Sequence, residues 1–337
     1  MSHSNSSLNT FASCMAKYEH NYILHSPKCL PESPHLLFGA MAHEVLEKAG
    51  NLRDEAVGQY EITNNQYIAH SIPSEVLYSD LKEYFKINSW QQYFLPIIAQ
   101  VKEYEDTLVN ELAETSDEPV LIQRELKWSF SSDELTSFGI TGISQPLVGI
   151  IDLLLLTNNK AIIIDYKFSS KQKTQDNFDM DSKLPLYALF VHLYYKIPLH
   201  NIQYGYIDIP KQMFSRPALL SNGTLSRSKS QNVSQDMYKK CVIAVHGDDP
   251  YYNCDEGGYY YEAYLSFAHN KCAYLSMQYL DFDVYANVTK DLINTAKMID
   301  FMTENKMPFL RRYDAYTCAS CEYKEACKPW LTVGDKQ

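Results

Sequence analysis

Two aspartates and a lysine stand in two apolar, β-branched runs: Asp152, Asp165 and Lys167, within residues 147–169 (LVGIIDLLLL-TNNK-AIIIDYKFS). Carboxylate oxygens are hard ligands for Mg²⁺ or Mn²⁺, and an ammonium beside them can orient a water and oppose charge building on a phosphate. That chemistry needs the three side chains on one face. The two apolar runs flank Asn158-Asn159, a pair that tolerates the positive φ of a tight hairpin turn. With those asparagines as the loop, or with a four-residue loop over 157–160, Asp152 falls opposite Asp165, the Cβ atoms about 4.5–5.5 Å apart. Lys167, two residues beyond Asp165, projects from the same face. A slip of one residue would put the aspartates on opposite faces. Like charges at that distance in an apolar hairpin persist only when paired or bound to a metal. The hairpin reads as a cation site with a lysine beside it, a structural ion-pair network being the competing reading.

Further groups could join such a site. His43 falls on the apolar side of a helix expected over residues 36–48, where a histidine is ordinarily a packed core residue. Glu125, on a strand expected over 120–130, is a third acidic candidate, with an exposed strand position as the alternative. Near the C-terminus Cys318, Cys321 and Cys327 lie within the ten residues CASCEYKEAC. A fourth thiolate would complete an iron–sulfur centre; zinc, which four thiolates also bind well, is the rival.

Gly149-x-x-Asp152 followed by Asp165-Tyr166-Lys167 resembles the signature of the PD-(D/E)XK nuclease superfamily, in the form carried by RecB-like exonucleases. Gly39-x3-His43 resembles that family's histidine motif. Cys318-x2-Cys321-x5-Cys327 with a lone N-terminal cysteine resembles its iron–sulfur branch, which includes AddB-type subunits and CRISPR-adaptation nucleases. The resemblance implies an α/β fold, a restriction-endonuclease-like mixed central sheet flanked by helices, with a helical insertion and an iron–sulfur cap. It implies metal-dependent hydrolysis of DNA, as an exonuclease on single strands or ends, in recombination and repair, phage DNA processing or CRISPR adaptation. Asp152 and Asp165 would be shared ligands, His43 a ligand of the second metal, and the Tyr166 carbonyl a further one. An imidazole ligand tilts the preference from Mg²⁺ toward Mn²⁺. Lys167 would orient or deprotonate the attacking water.

By the same resemblance Cys14 would be the fourth ligand of a [4Fe–4S] cluster, with Cys29 as fallback. Such a cluster would close a loop of about 300 residues, a large entropic constraint, and so would be structural. The family's Gln-x3-Tyr corresponds to Lys183-x3-Tyr187, where the tyrosine matches and the glutamine does not; Lys183 then becomes a candidate phosphate contact. The competing class is a DNA-binding or scaffold subunit acting beside a helicase or a CRISPR integrase.

The net charge of −11 argues against a protein that coats nucleic acid nonspecifically, which would show a basic footprint. A local basic groove remains compatible with it. The most basic stretch, residues 211–240, contains Lys211, Arg216, Arg227, Lys229, Lys239 and Lys240; Arg227 and Lys229, among small hydroxyl residues, suit backbone phosphates. No stretch approaches the roughly 18 apolar residues of a membrane span, and the N-terminus has no secretory core. The eight cysteines then read as thiols or ligands of a cytoplasmic protein of bacterial, archaeal or phage origin.

The expected organisation is N-terminal helices with the first cluster cysteine and the histidine motif (1–48), a helical insertion (49–118), a nuclease core (119–305) and a cysteine-cluster segment (306–337). Within it, residues 7–26 are expected to form one helix with Phe11, Cys14, Tyr18 and Tyr22 on a face. Further helices are expected over 181–195 and 284–305, and strands over 202–209 and 259–266.

Overall fold

The structure, a computed structural model, describes residues 2–30, 34–57, 62–63, 66–67, 91–169, 174–210, 215–268, 270–311 and 315–327. Lys211 lies outside them. Five strands form one mixed sheet: β1 (Leu121–Phe130), β2 (Leu147–Leu156), β3 (Ala161–Ser169), β4 (Ile202–Pro210) and β5 (Tyr274–Tyr279), adjacent in chain order. β3 and β4 are parallel and every other neighbouring pair is antiparallel. The β2–β3 turn is the tight one the asparagines predict. Thr157 N–H donates to the Lys160 carbonyl, and the ladder begins at Leu156↔Ala161 and runs to Leu153↔Ile164.

Helices cover both faces. α2 (Pro34–Val57) and α3 (Gln91–Ala113) bury Ala42, Val45, Ile97, Val101 and Leu108 against Leu153, Leu155, Ile162 and Ile164. On the opposite face lie α1 (Asn5–Ser13), α4 (Lys183–Tyr195) and α5 (Phe282–Glu304), packed on Ile151, Leu154, Ile163 and Tyr204. α4 makes the parallel crossover from β3 to β4. It is buried continuously from Leu184 to Val191, as a helix apolar all round must be. Leu153, Leu154 and Leu155 are fully buried, each worth about 1.5–3 kcal/mol relative to exposure, and this fixes the hairpin between the layers. The α/β architecture, a mixed sheet flanked by helices, is the restriction-endonuclease-like fold expected from the sequence.

Two elements differ from the sequence reading. The strand expected over 259–266 is a helix, Tyr261–Ser266; Tyr260, Ala263 and Phe267 recur at helical spacing and bury in a small separate core with Val233, Tyr238 and Val242. The sheet takes Tyr274–Tyr279 instead. The N-terminal helix is broken at Cys14, which is extended (φ −160, ψ 107), and resumes at Met15–Tyr18. The break frees Ala16 N–H to donate to the Leu310 carbonyl at 3.2 Å, joining the N-terminal helices to the segment that leads to Cys318. Among the described residues no helix is long and apolar enough to cross a membrane.

Candidate metal centre

The site forms where the sheet loses its regularity. The β2–β3 ladder stops one pair short of the aspartates, and Asp152 Oδ2 instead accepts the Tyr166 backbone N–H at 2.8 Å. On the other edge of β2, β1 pairs on both sides of Glu125 and Asp152, at Arg124↔Leu153 and Leu126↔Ile151, but not at those two residues. Glu125 has φ +45, a left-handed conformation that costs a non-glycine residue on the order of 1–3 kcal/mol. Both strands turn over here. Ile151 packs in the α4 layer and Leu153 in the α2–α3 layer, although residues two apart in a strand share a face; Leu126 and Ile122 divide the same way on β1.

The inversion brings two carboxylates to α2. His43 Nδ1 lies 3.7 Å from Asp152 Oδ2 and 3.8 Å from Glu125 Oε1. One ligand atom from each of His43, Glu125 and Asp152 falls within 4.8 Å of the others, and among the described residues no other three metal-type side chains do so. They line a cleft of about 730 Å³ shared with Lys127, Trp128, Gly149, Lys183 and Tyr187. Burial lifts the Asp152 carboxyl well above the usual carboxylate range, and the charge of Asp165 lifts it further. Burial and then Glu47 raise Glu125 as well. Burial lowers His43, favouring the neutral imidazole that ligates metals. Carboxyls that resist ionising together, next to a neutral imidazole, form a donor set that a divalent cation fits.

Asp165 is fully buried, and its oxygens face two ammoniums. Lys167 Nζ is 2.5 Å from Oδ2, and Lys183 Nζ donates to Oδ1. Burial works to raise the Asp165 carboxyl, but Lys183 and then Lys167 prevail and hold it below its ordinary value. Lys183 also lies 3.9 Å from Asp152 Oδ1 and 5.2 Å above the Tyr187 ring. The structure thus gathers Asp152, Asp165, Lys167, His43, Tyr166, Lys183 and Tyr187, and brings Glu125, the third acidic candidate, beside His43. Strand periodicity alone does not place Glu125 on this side, because it breaks at that residue.

Behind the site runs a contact with no sequence signal. Tyr166 Oη donates to Glu105 Oε1 at 2.5 Å, and Arg124 holds Glu105 with Nη2 at 2.7 Å and Nη1 at 3.1 Å. Glu105 sits on a helix without any motif.

The other candidates lie apart. Arg227 stacks on the Tyr259 ring at 4.5 Å and Lys229 faces Glu262 at 3.7 Å, both on the small separate core. The candidate cluster cysteines lie on the N-terminal helices and the C-terminal segment, and among the described residues no three of their sulfurs come within 4.8 Å of one another. Cys29 N–H donates to the Glu322 carbonyl at 2.8 Å, and Cys321 N–H to the Cys318 carbonyl at 3.2 Å. Burial pushes the Cys327 thiol up, Arg311 opposes it, and Cys14 and Cys321 lie near enough to act on it. Arg311 Nη1 approaches Cys327 Sγ at 3.3 Å.

Nearly the whole chain matches a family model. The model of the PD-(D/E)XK nuclease superfamily covers residues 2–328. The chain belongs to that superfamily. No curated protein gives a significant match. Membership suggests a metal-dependent nuclease acting on phosphodiester bonds, and this PD-(D/E)XK chain carries its acidic and histidine side chains at the edge of the cleft.

Proposed function

We propose that this chain is a metal-dependent exodeoxyribonuclease acting on single-stranded DNA or DNA ends, with a [4Fe–4S] cluster joining its N- and C-terminal segments. The observation that carries the reading is the convergence of His43, Glu125 and Asp152 beside the Asp165–Lys167 pair. His43, Glu125 and Asp152 would hold Mg²⁺ or Mn²⁺, with the Tyr166 carbonyl as a further donor. When bound, such an ion supplies a nucleophilic water at neutral pH and neutralises charge on the phosphate. Lys167, anchored by Asp165, places N–H donors where a water can be oriented and a developing negative charge opposed.

The cluster reading is supported by the thiols Cys14, Cys318, Cys321 and Cys327 at the junction of the N-terminal helices and the C-terminal segment, with Cys29 adjacent. Thiolate donors suit iron–sulfur ligation. Recombination and repair, phage DNA processing and CRISPR adaptation are settings such an enzyme would serve.

The test is incubation of anaerobically purified protein with end-labelled single- and double-stranded DNA and Mn²⁺ or Mg²⁺, beside Lys167→Ala. Metal-dependent degradation lost in the variant is the expected result. No degradation by protein that retains its iron–sulfur colour sinks the enzyme reading and leaves a DNA-binding scaffold.

A further inference from the structure

Asp152 divides its two oxygens between two cation positions. Oδ2 points to His43, Glu125 and the Tyr166 N–H, a group in which, among the described residues, no lysine or arginine is an ion-pair partner of that oxygen. Oδ1 points the other way, toward Lys183 Nζ at 3.9 Å. Lys183 hydrogen-bonds Asp165 Oδ1 at the same time, so one ammonium spans both aspartates. Its position is built in. Lys183 is the first residue of α4, and Asp181 Oδ1 fixes that helix start by accepting the backbone N–H groups of Lys183 at 2.6 Å and Leu184 at 2.8 Å. The Tyr187 ring, one turn on, receives the ammonium from the other side.

Charge supports the same division. Glu125, Asp152 and Asp165 are three carboxylates, and Lys167 and Lys183 are two ammoniums, which leaves one negative charge when all are ionised. One divalent ion turns that into a single positive charge, matched to one phosphate. A second divalent ion would have to crowd in between Asp152 and Asp165, against the Lys183 ammonium, and with the same phosphate would leave two uncompensated positive charges. Buried charge of that size is strongly disfavoured.

We propose that Lys183 is an internal cation that takes the place of a second metal, so that the centre holds one divalent ion, on the His43–Glu125–Asp152 side. The inference rests on the metal-centre reading above and deepens it. Removing the ammonium without changing the fold opens the position between the aspartates to a second ion.

The experiment counts Mn²⁺ on the full-length protein by electron paramagnetic resonance and calorimetry, for wild type, Lys183→Gln and Lys183→Met, with circular dichroism confirming each fold. One Mn²⁺ per wild-type chain is expected, rising to two in Lys183→Gln with a spin-coupled signal from the ion pair. Lys183→Met, which removes the charge without offering an oxygen ligand, serves if the glutamine variant does not fold. Two ions in the wild type overturn the inference and leave the metal-centre reading standing, as does one ion in both wild type and a folded variant. No Mn²⁺ bound to the wild type overturns the metal-centre reading itself, and this inference with it.

Discussion

Arg124 grips Glu105 through two hydrogen bonds, each side chain at most 5% exposed, directly behind the pair Glu125 and Asp152. Arg124 immediately precedes the left-handed Glu125, and Glu105 also holds Tyr166, whose backbone N–H fixes Asp152. Breaking a buried ion pair from one side leaves a charge without compensation and costs roughly 3–5 kcal/mol. Arg124→Met should therefore lose about that much in urea unfolding, whereas Arg124→Met with Glu105→Leu should recover part of it, the Tyr166 hydroxyl being left without its acceptor. If the two variants are equally unstable, the loss is packing rather than charge.

Glu125 is held in a backbone conformation natural to glycine. Glu125→Gly should relieve strain on the order of 1–3 kcal/mol, offset by glycine's extra chain entropy of about 0.5–1 kcal/mol. The expected outcome is a melting temperature equal to or above wild type together with weakened Mn²⁺ binding. A variant that melts lower and binds Mn²⁺ normally would place Glu125 among structural residues.

Lys167→Ala should lower cleavage roughly 10²–10³-fold, the scale of removing one preorganised donor, while Mn²⁺ still binds. Asp152→Asn should lose both. Metal titration followed by single-turnover cleavage separates these outcomes.

Asp300 accepts the backbone N–H groups of Ser144 at 2.6 Å and Gln145 at 3.3 Å, and His3 Nε2 donates to it at 2.8 Å. Burial alone would raise its carboxyl, but these bonds hold it below the usual 3.8. A carboxyl lowered by folding contributes stability that is complete above its unfolded value and is lost as pH falls through the folded one. Wild type should thus exceed Asp300→Asn in thermal stability at neutral pH. The gap should narrow as pH drops below 3.8 toward the lower folded-state value. A gap that stays constant down to pH 2 would assign the difference to shape rather than ionisation.

The sequence made the hairpin legible because side-chain alternation and the Asn158-Asn159 turn act over short range. The faces of Asp165 and Lys167 followed at once. Glu125 was visible only as a candidate, since no local signal announces a strand that turns over. Glu105 was invisible, because its importance comes from the distant Arg124 and Tyr166. The tyrosine-rich segment near Tyr260 favoured a strand by composition, yet the burial of Tyr260, Ala263 and Phe267 required a helix.

Gly149 has a consequence outside chemistry. A Cβ there would come within 2.6 Å of the Trp128 ring, so its absence lets the indole lie against β2 as a wall of the cleft. The sequence has three tryptophans, and Trp128 is the one among the described residues. The molecule thus carries an optical reporter beside its own centre: paramagnetic Mn²⁺ should quench this emission, with no label attached.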